Sequence, residues 1–234
     1  IPILQGAASG LGMVTLKPEE VVRRVPAVVR VGEALYPSMV IEMLRVGTNN
    51  TAYAIKSSPI GITNIVIPKS NMLPKAWDIP TDPNGRIYVY FRRHDPSLYV
   101  SAKDVFNGTV DPARIQGKFV LIGTSAAGLL DIRSTPLDAA IPGVEIHANM
   151  LDTVFTDSSL SRPADATGME LSGALIAGFL MIVLVPLIGV WWTLGLLVVL
   201  LGGLAGGSWY LFDQELTLVD VTYPGFSTLA MWAI

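Results

Sequence analysis

Thr124, Ser125, Asp131 and Arg133 place two hydroxyls, a carboxylate and a guanidinium within ten residues. Such a set could grip a small polar ligand. It could equally satisfy the backbone of its own loop, with Asp131 and Arg133 paired to each other. The four follow an apolar run, Phe119-Val120-Leu121-Ile122, that Gly123 ends. Ligands of open α/β sheets sit beyond the carboxyl ends of strands, which is where this set falls.

Other chemistry is poorly supplied. Gly123 and Gly128 are spaced as in a phosphate-binding loop, but Leu129-Leu130 stands where a lysine and a hydroxyl are required. A nucleophile elbow would need a second glycine after Ser125, where Ala127 stands. Gly6, Gly10 and Gly12 lack both the preceding strand and the spacing of a dinucleotide loop. Glu145 and His147 lie two apart, about 200° around a helix, so they cannot chelate one ion. Glu145 is read as favouring a helix dipole and His147 as a buried, hydrogen-bonded residue. The chain has no cysteine and two histidines. No catalytic residue, metal or cofactor is therefore expected.

The elements that must position the set are a strand and a helix. The four apolar residues 119–122 do not alternate, which reads as a parallel strand buried on both faces. Pro142-Gly143 opens a helix in which Val144, Met150, Leu151, Val154 and Phe155 recur at helical spacing. Strand, turn, loop and helix make one unit of an α/β domain with a mixed sheet.

Upstream, residues 13–16 and 21–31 read as a hairpin broken by Lys17-Pro18-Glu19-Glu20. Arg23 and Arg24 fall on opposite strand faces, one for an ion pair and one for solvent. A helix is expected over 39–46, with Pro37 near its start and Gly47 at its end. Strands are expected at 52–55 and 60–67, and a turn over 78–85. Residues 86–91 alternate: Ile87, Val89 and Phe91 on one face, Tyr88 and Tyr90 on the other. A short helix follows Ser101 and stops at Asn107-Gly108.

Several of these stretches carry a resemblance. VLIGTSAAGLLD…TP…PGVEIHANMLDT, EEVVRRVPAVVR, Tyr36-Pro37-Ser38, Ile79-Pro80-Thr81-Asp82 with Gly85-Arg86-Ile87, and Val105-Phe106-Asn107-Gly108 with Asp111-Pro112-Ala113-Arg114 are similar to the type-2 CHASE domain. The resemblance covers about residues 12–155. It implies an extracytoplasmic sensor of bacterial receptor cyclases and kinases. It also implies that the N-terminal strands of the domain lie before Ile1, in a longer protein.

The rest of the chain is membrane in character. All 16 lysines and arginines precede Pro163, with 14 of the 19 acids; the remainder carries five acids and no base. Mean hydropathy is +0.51. Residues 171–189 and 190–212 are two uncharged runs, each long enough for a bilayer core, separated by Pro186 to Gly189. Trp191, Trp192, Trp209 and Tyr210 flank the second run as aromatic belts do. Residues 223–234 begin a third.

The expected organisation is a sensor domain over 1–156, a linker over 157–170 and membrane helices over 171–234. The expected setting is the inner membrane, with 1–165 extracytoplasmic, consistent with an acidic 213–220 loop on that side. By resemblance the output is a cytoplasmic class III adenylate or guanylate cyclase. A histidine kinase and a solute-binding transport component are the alternatives, the latter disfavoured because 171–212 holds no ionisable group. The partners expected are a small extracytoplasmic ligand, membrane lipid and a second copy of the chain. No basic patch suits nucleic acid. Gly202, Gly203, Gly206 and Gly207 form overlapping small-xxx-small pairs that invite close helix packing. Ala174 and Gly178 of the first span are the expected partner face, with the same helix of a second subunit as the alternative.

Overall fold

Ser38 starts the first core helix, α2 (Met39–Gly47), and its hydroxyl accepts from Ile41 N at 3.4 Å. Val40, Ile41 and Leu44 are buried on one side, against α4 (Gly143–Phe155). On α4, Ile146, Met150 and Val154 recur every four residues and are all buried, so one helical stripe supplies the packing face. These helices carry the core of the first of two compact units, Ile1–Ser159 and Leu160–Ile234. The computed structural model describes residues 2–14, 21–125, 131–163 and 165–233.

Short antiparallel ladders complete the first unit. After a helical turn, α1 (Pro2–Ala7), β1 (Arg24–Pro26) pairs with β7 (Arg86–Tyr88), and β2 (Val28–Val31) pairs with β3 (Ala34–Pro37). A meander of β4 (Ala54–Ser58), β5 (Gly61–Ile67) and β6 (Trp77–Pro80) turns Ile65 and Ile79 inward as direct partners. A short helix, α3 (Ala102–Phe106), precedes the last ladder, β8 (Ile132–Arg133) with β9 (Ile141–Pro142).

Several expectations change. Residues 15–20 of the hairpin expected between 13–16 and 21–31 lie outside the described residues; within 21–37 the hairpin is β2–β3, with Gly32 at φ 61° in its turn. Met13 instead exchanges backbone bonds with Pro37 and Met39, both 2.9 Å. Residues 78–80 are strand, because Ile79 has a core position to fill. The larger correction concerns 119–122, which joins no ladder among the described residues. Phe119 packs on Phe155 at 5.3 Å between ring centroids, and Leu121 lies against the core. Val120 and Ile122 point away, Ile122 being 96% exposed. An uninterrupted apolar run was the ground for expecting burial on both faces, yet only alternate residues find a neighbour. Every ladder among the described residues is antiparallel, so the buried parallel strand is not formed.

The second unit is helical: α5 (Ala166–Ile188), α6 (Val190–Glu215) and α7 (Thr222–Ala233). α5 starts inside the expected linker, and Pro186 stays within it. Gly189, at φ 81°, alone makes the break to α6. α5 and α6 are long and apolar enough to cross a membrane. Leu175, Phe179, Trp191 and Val199 are more than three-fifths exposed along them, a surface that suits lipid and not water.

The small-residue faces do not meet as expected. A Cβ on Gly178 of α5 would stand 3.5 Å from Met231 Cγ of α7, and one on Gly225 of α7 3.6 Å from Leu201 Cδ2 of α6. Trp232 Nε1 donates to Thr193 Oγ1 at 3.3 Å. Gly202, Gly203, Gly206 and Gly207 have no atom within 4 Å of where a Cβ would stand. Among the described residues they have no intramolecular partner: α7 occupies the small face of α5, leaving the α6 glycines turned outward.

Candidate functional site at the start of helix α4

The β8–β9 pair brings Asp131 and Arg133 to the start of α4. Ile132 lies opposite Pro142 and Arg133 opposite Ile141, so the chain returns beside itself just before the helix. Gly143 N donates to Asp131 O at 2.8 Å. A Cβ on Gly143 would stand 2.3 Å from Asp131 Oδ1, so the glycine makes room for the carboxylate. Pro142 offers no side-chain cap, and the carboxylate takes the place that the helix dipole favours for an anion.

Arg133 Nε lies 3.8 Å from Asp131 Oδ1, the outer edge of an ion pair, and has no hydrogen-bond partner among the described residues. The structure brings these two expected residues together. A Cβ on Gly123 would stand 2.5 Å from Val144 Cβ, so the chain leading to Thr124 and Ser125 passes the same helical turn. Both hydroxyl residues are exposed. Residues 126–130, with the Gly128 and Leu129-Leu130 expectations, lie outside the described residues. Gly123 and Asp131 thus lie beside the first two residues of α4.

His147 is buried as expected but not hydrogen-bonded through Nδ1, which lacks a partner among the described residues. Burial pushes its imidazole below the usual value, and the nearby Asp131 charge partly opposes that. Glu145 has other partners altogether. Its Oε2 accepts from Tyr99 Oη at 2.7 Å and His94 Nδ1 at 2.6 Å, and its side chain is 9% exposed. The His94 and Tyr99 rings meet edge to face at 5.5 Å. The Tyr99 hydroxyl is pushed well above its ordinary value by burial and then by the Glu145 carboxylate.

This cluster was not read from the sequence, since His94 and Glu145 are 51 positions apart. One signal was available: Glu145, Asn149 and Thr153 form an i, i+4, i+8 polar stripe beside the apolar one. The stripe also shortens β7. Val89 N still bonds Arg23 O at 3.2 Å, but β1 offers nothing further. Tyr90 N then donates to Thr153 Oγ1 at 3.1 Å, Arg92 N to Asn149 Oδ1 at 2.9 Å and His94 N to Asp138 Oδ2 at 3.1 Å. Ile87, Val89 and Phe91 keep the expected inward alternation, with α4 side chains in place of a neighbouring strand.

Two of the clefts formed by described residues lie away from the four expected ligand residues. One, about 120 Å³, is lined by Lys75, Trp77, Asp78 and Val154. The other, about 380 Å³, lies among Tyr99, Ser101, Asp104, Thr109 and Arg114, where the Arg114 guanidinium is already bound to the carbonyls of Ser97 and Tyr99. The start of α4 has unpartnered polar atoms and is the better candidate site, as an open helix end.

Comparison with curated proteins and with solved structures returned no match. The CHASE2 domain model matches residues 2–206, which takes in the α4 site, α5 and most of α6. With a mixed helix and sheet unit followed by two apolar helices, the chain belongs to the CHASE2 family of extracellular sensor domains of signalling receptors.

Proposed function

We propose that the chain is the input and membrane segment of a bacterial receptor whose soluble unit lies outside the cytoplasm. Its output would be a cytoplasmic class III adenylate or guanylate cyclase. The observation that carries this reading is the continuous CHASE2 match, from the soluble unit into a helix of membrane length. α7 is the third span in this reading, which puts whatever follows it on the side opposite the sensor. A ligand would act by binding two helix arrangements with different affinity.

The absence of cysteine makes one labelling series sufficient. Asn107→Cys and Asp213→Cys are both expected to react with a membrane-impermeant maleimide in intact cells. Reaction only after lysis would remove the sensor reading. In the same series, Gly203→Cys tests a homodimer packed through the open α6 glycine face. Oxidation should link it into a dimer far more readily than Val198→Cys, which faces about 140° away around the helix. Equal yields, or none, would exclude that face as the interface.

The ligand site in this reading is Thr124, Ser125, Asp131 and Arg133 at the start of α4. Arg133→Ala and Asp131→Ala should each abolish signal-dependent cyclic nucleotide production while the circular dichroism spectrum stays unchanged. Loss of folding in both would assign the pair to structure alone.

A further inference from the structure

The chain enters the helical unit through residues 160–162, and this segment is bonded to more than the helix it precedes. Ser161 N donates to Leu216 O at 2.9 Å, and Leu218 N donates to Ser161 O at 2.8 Å, closing a parallel bridge between Ser161 and Thr217. Arg162 Nη2 donates to Glu170 Oε2 at 2.8 Å. The second oxygen of the same carboxylate accepts from Asp220 N at 2.7 Å. Asp220 in turn accepts from Thr222 N at 2.8 Å, capping α7. Those bonds to Thr222, with the Arg162 charge adding, hold the Asp220 carboxyl below the usual carboxylate range.

Glu170 is the central piece. It is the one charged residue of α5 and stands in its second turn. Its side chain is only 10% exposed, and a carboxylate there is costly unless fully bonded. Both oxygens are used, one on the entering segment and one on the α6–α7 loop. The segment, α5 and the start of α7 are thereby one hydrogen-bonded junction.

We infer that residues 161–162, Glu170 and residues 216–220 form a coupling clamp that delivers displacement of the entering segment to the N-terminus of α7 as well as to α5. A pull on Ser161 acts through two backbone bonds on the loop, and Glu170 ties that loop to α5. α7 also packs on α5 at Gly178 and Met231, so the pair would shift together. The direction of signalling rests on the sensor reading; the clamp itself does not.

Amide hydrogen exchange on the whole chain in lipid discs tests the clamp without ligand or output domain. Glu170→Ala should raise exchange of the Asp220 amide by about tenfold, the size expected for one hydrogen bond to a charged acceptor. Because the clamp acts as a unit, the Ser161 and Leu218 amides should speed up as well, although neither touches Glu170. Glu170→Gln keeps an acceptor for Asp220 and should have a smaller effect. A disulfide between Ser161→Cys and Thr217→Cys, added to Glu170→Ala, should restore protection at Leu218 while Asp220, whose acceptor is gone, stays fast. Faster exchange at Asp220 alone, or a disulfide that restores nothing, would overturn the coupling. Failure of the topology labelling with these results intact would remove the sensor reading and leave the clamp.

Discussion

Asp82→Ala is expected to lower the stability of the soluble unit by about 3 kcal/mol, the usual result of removing one partner from a buried ion pair. The Asp82 carboxylate is 6% exposed and serves four donors. Oδ1 accepts from Asn84 N and Arg86 N, both at 3.0 Å; Oδ2 accepts from Arg86 Nε at 2.7 Å and faces Arg24 Nη1 at 3.6 Å. It therefore closes the turn into β7 and joins β7 to β1 at the same point. Gly85, at φ 72° and against Val28, completes that turn. Alanine removes the carboxylate that two amides and Arg86 Nε donate to. Asp82→Asn keeps an oxygen for the amides and should lose about half as much. For a unit of this size the alanine variant should melt about 10 °C lower by calorimetry. A shift below about 2 °C would mean that water replaces the carboxylate at little cost.

Residues 78–85 read as a turn in sequence, and its second half is one, closed by Gly85 N on Asp82 O between β6 and β7. That Asp82 holds the turn together was not legible, because Arg24 reaches it from a distant strand. Local signals were otherwise informative. The Ser38 start of α2 follows from capping chemistry, while Gly47 is its last helical residue and Thr48 the C-cap; the alternation of 86–91 survives in the burial of Ile87, Val89 and Phe91. Arg24 takes the ion pair and Arg23 stays exposed, as opposite strand faces require.

Non-local facts were beyond the pattern. Residues 119–122 are as apolar as a core strand, but a strand needs neighbours, and composition does not say whether they are present. The α6 glycines signal close packing without naming the partner; Met231 of α7 took the opposing face of α5. Asp131 and Arg133 lie 3.8 Å apart, the mutual pairing that the sequence offered as the structural alternative to ligand binding. Glu145 was read as favouring the helix dipole and His147 as a buried, hydrogen-bonded residue; the partners of Glu145 came instead from residues 94–99, and His147 Nδ1 has none among the described residues.

Glu145→Ala is expected to cost about 2 kcal/mol, the scale of losing charged hydrogen bonds from a buried acceptor. The carboxylate is the partner shared by the Tyr99 hydroxyl and His94 Nδ1, and both lose it. Residues 90–94 keep their bonds to Asn149, Thr153 and Asp138, so the loss should be local to 94–99 and not global. The pH dependence separates this bond from mere packing. In the folded chain the Tyr99 hydroxyl is raised, by burial first and then by Glu145, and it stays protonated and donating. A group raised in the folded state contributes stability that is complete below its unfolded value, about 10 for tyrosine. That stability is lost as the pH climbs above it, because the unfolded chain ionises first. Wild-type stability should therefore fall steeply above pH about 10. Glu145→Ala removes one of the two causes, so its curve should be shallower there and the gap between the two proteins should narrow. Chemical denaturation at pH 8 and again above pH 10 measures both. A gap that stays constant across that range would show that the Tyr99–Glu145 bond does not form in solution.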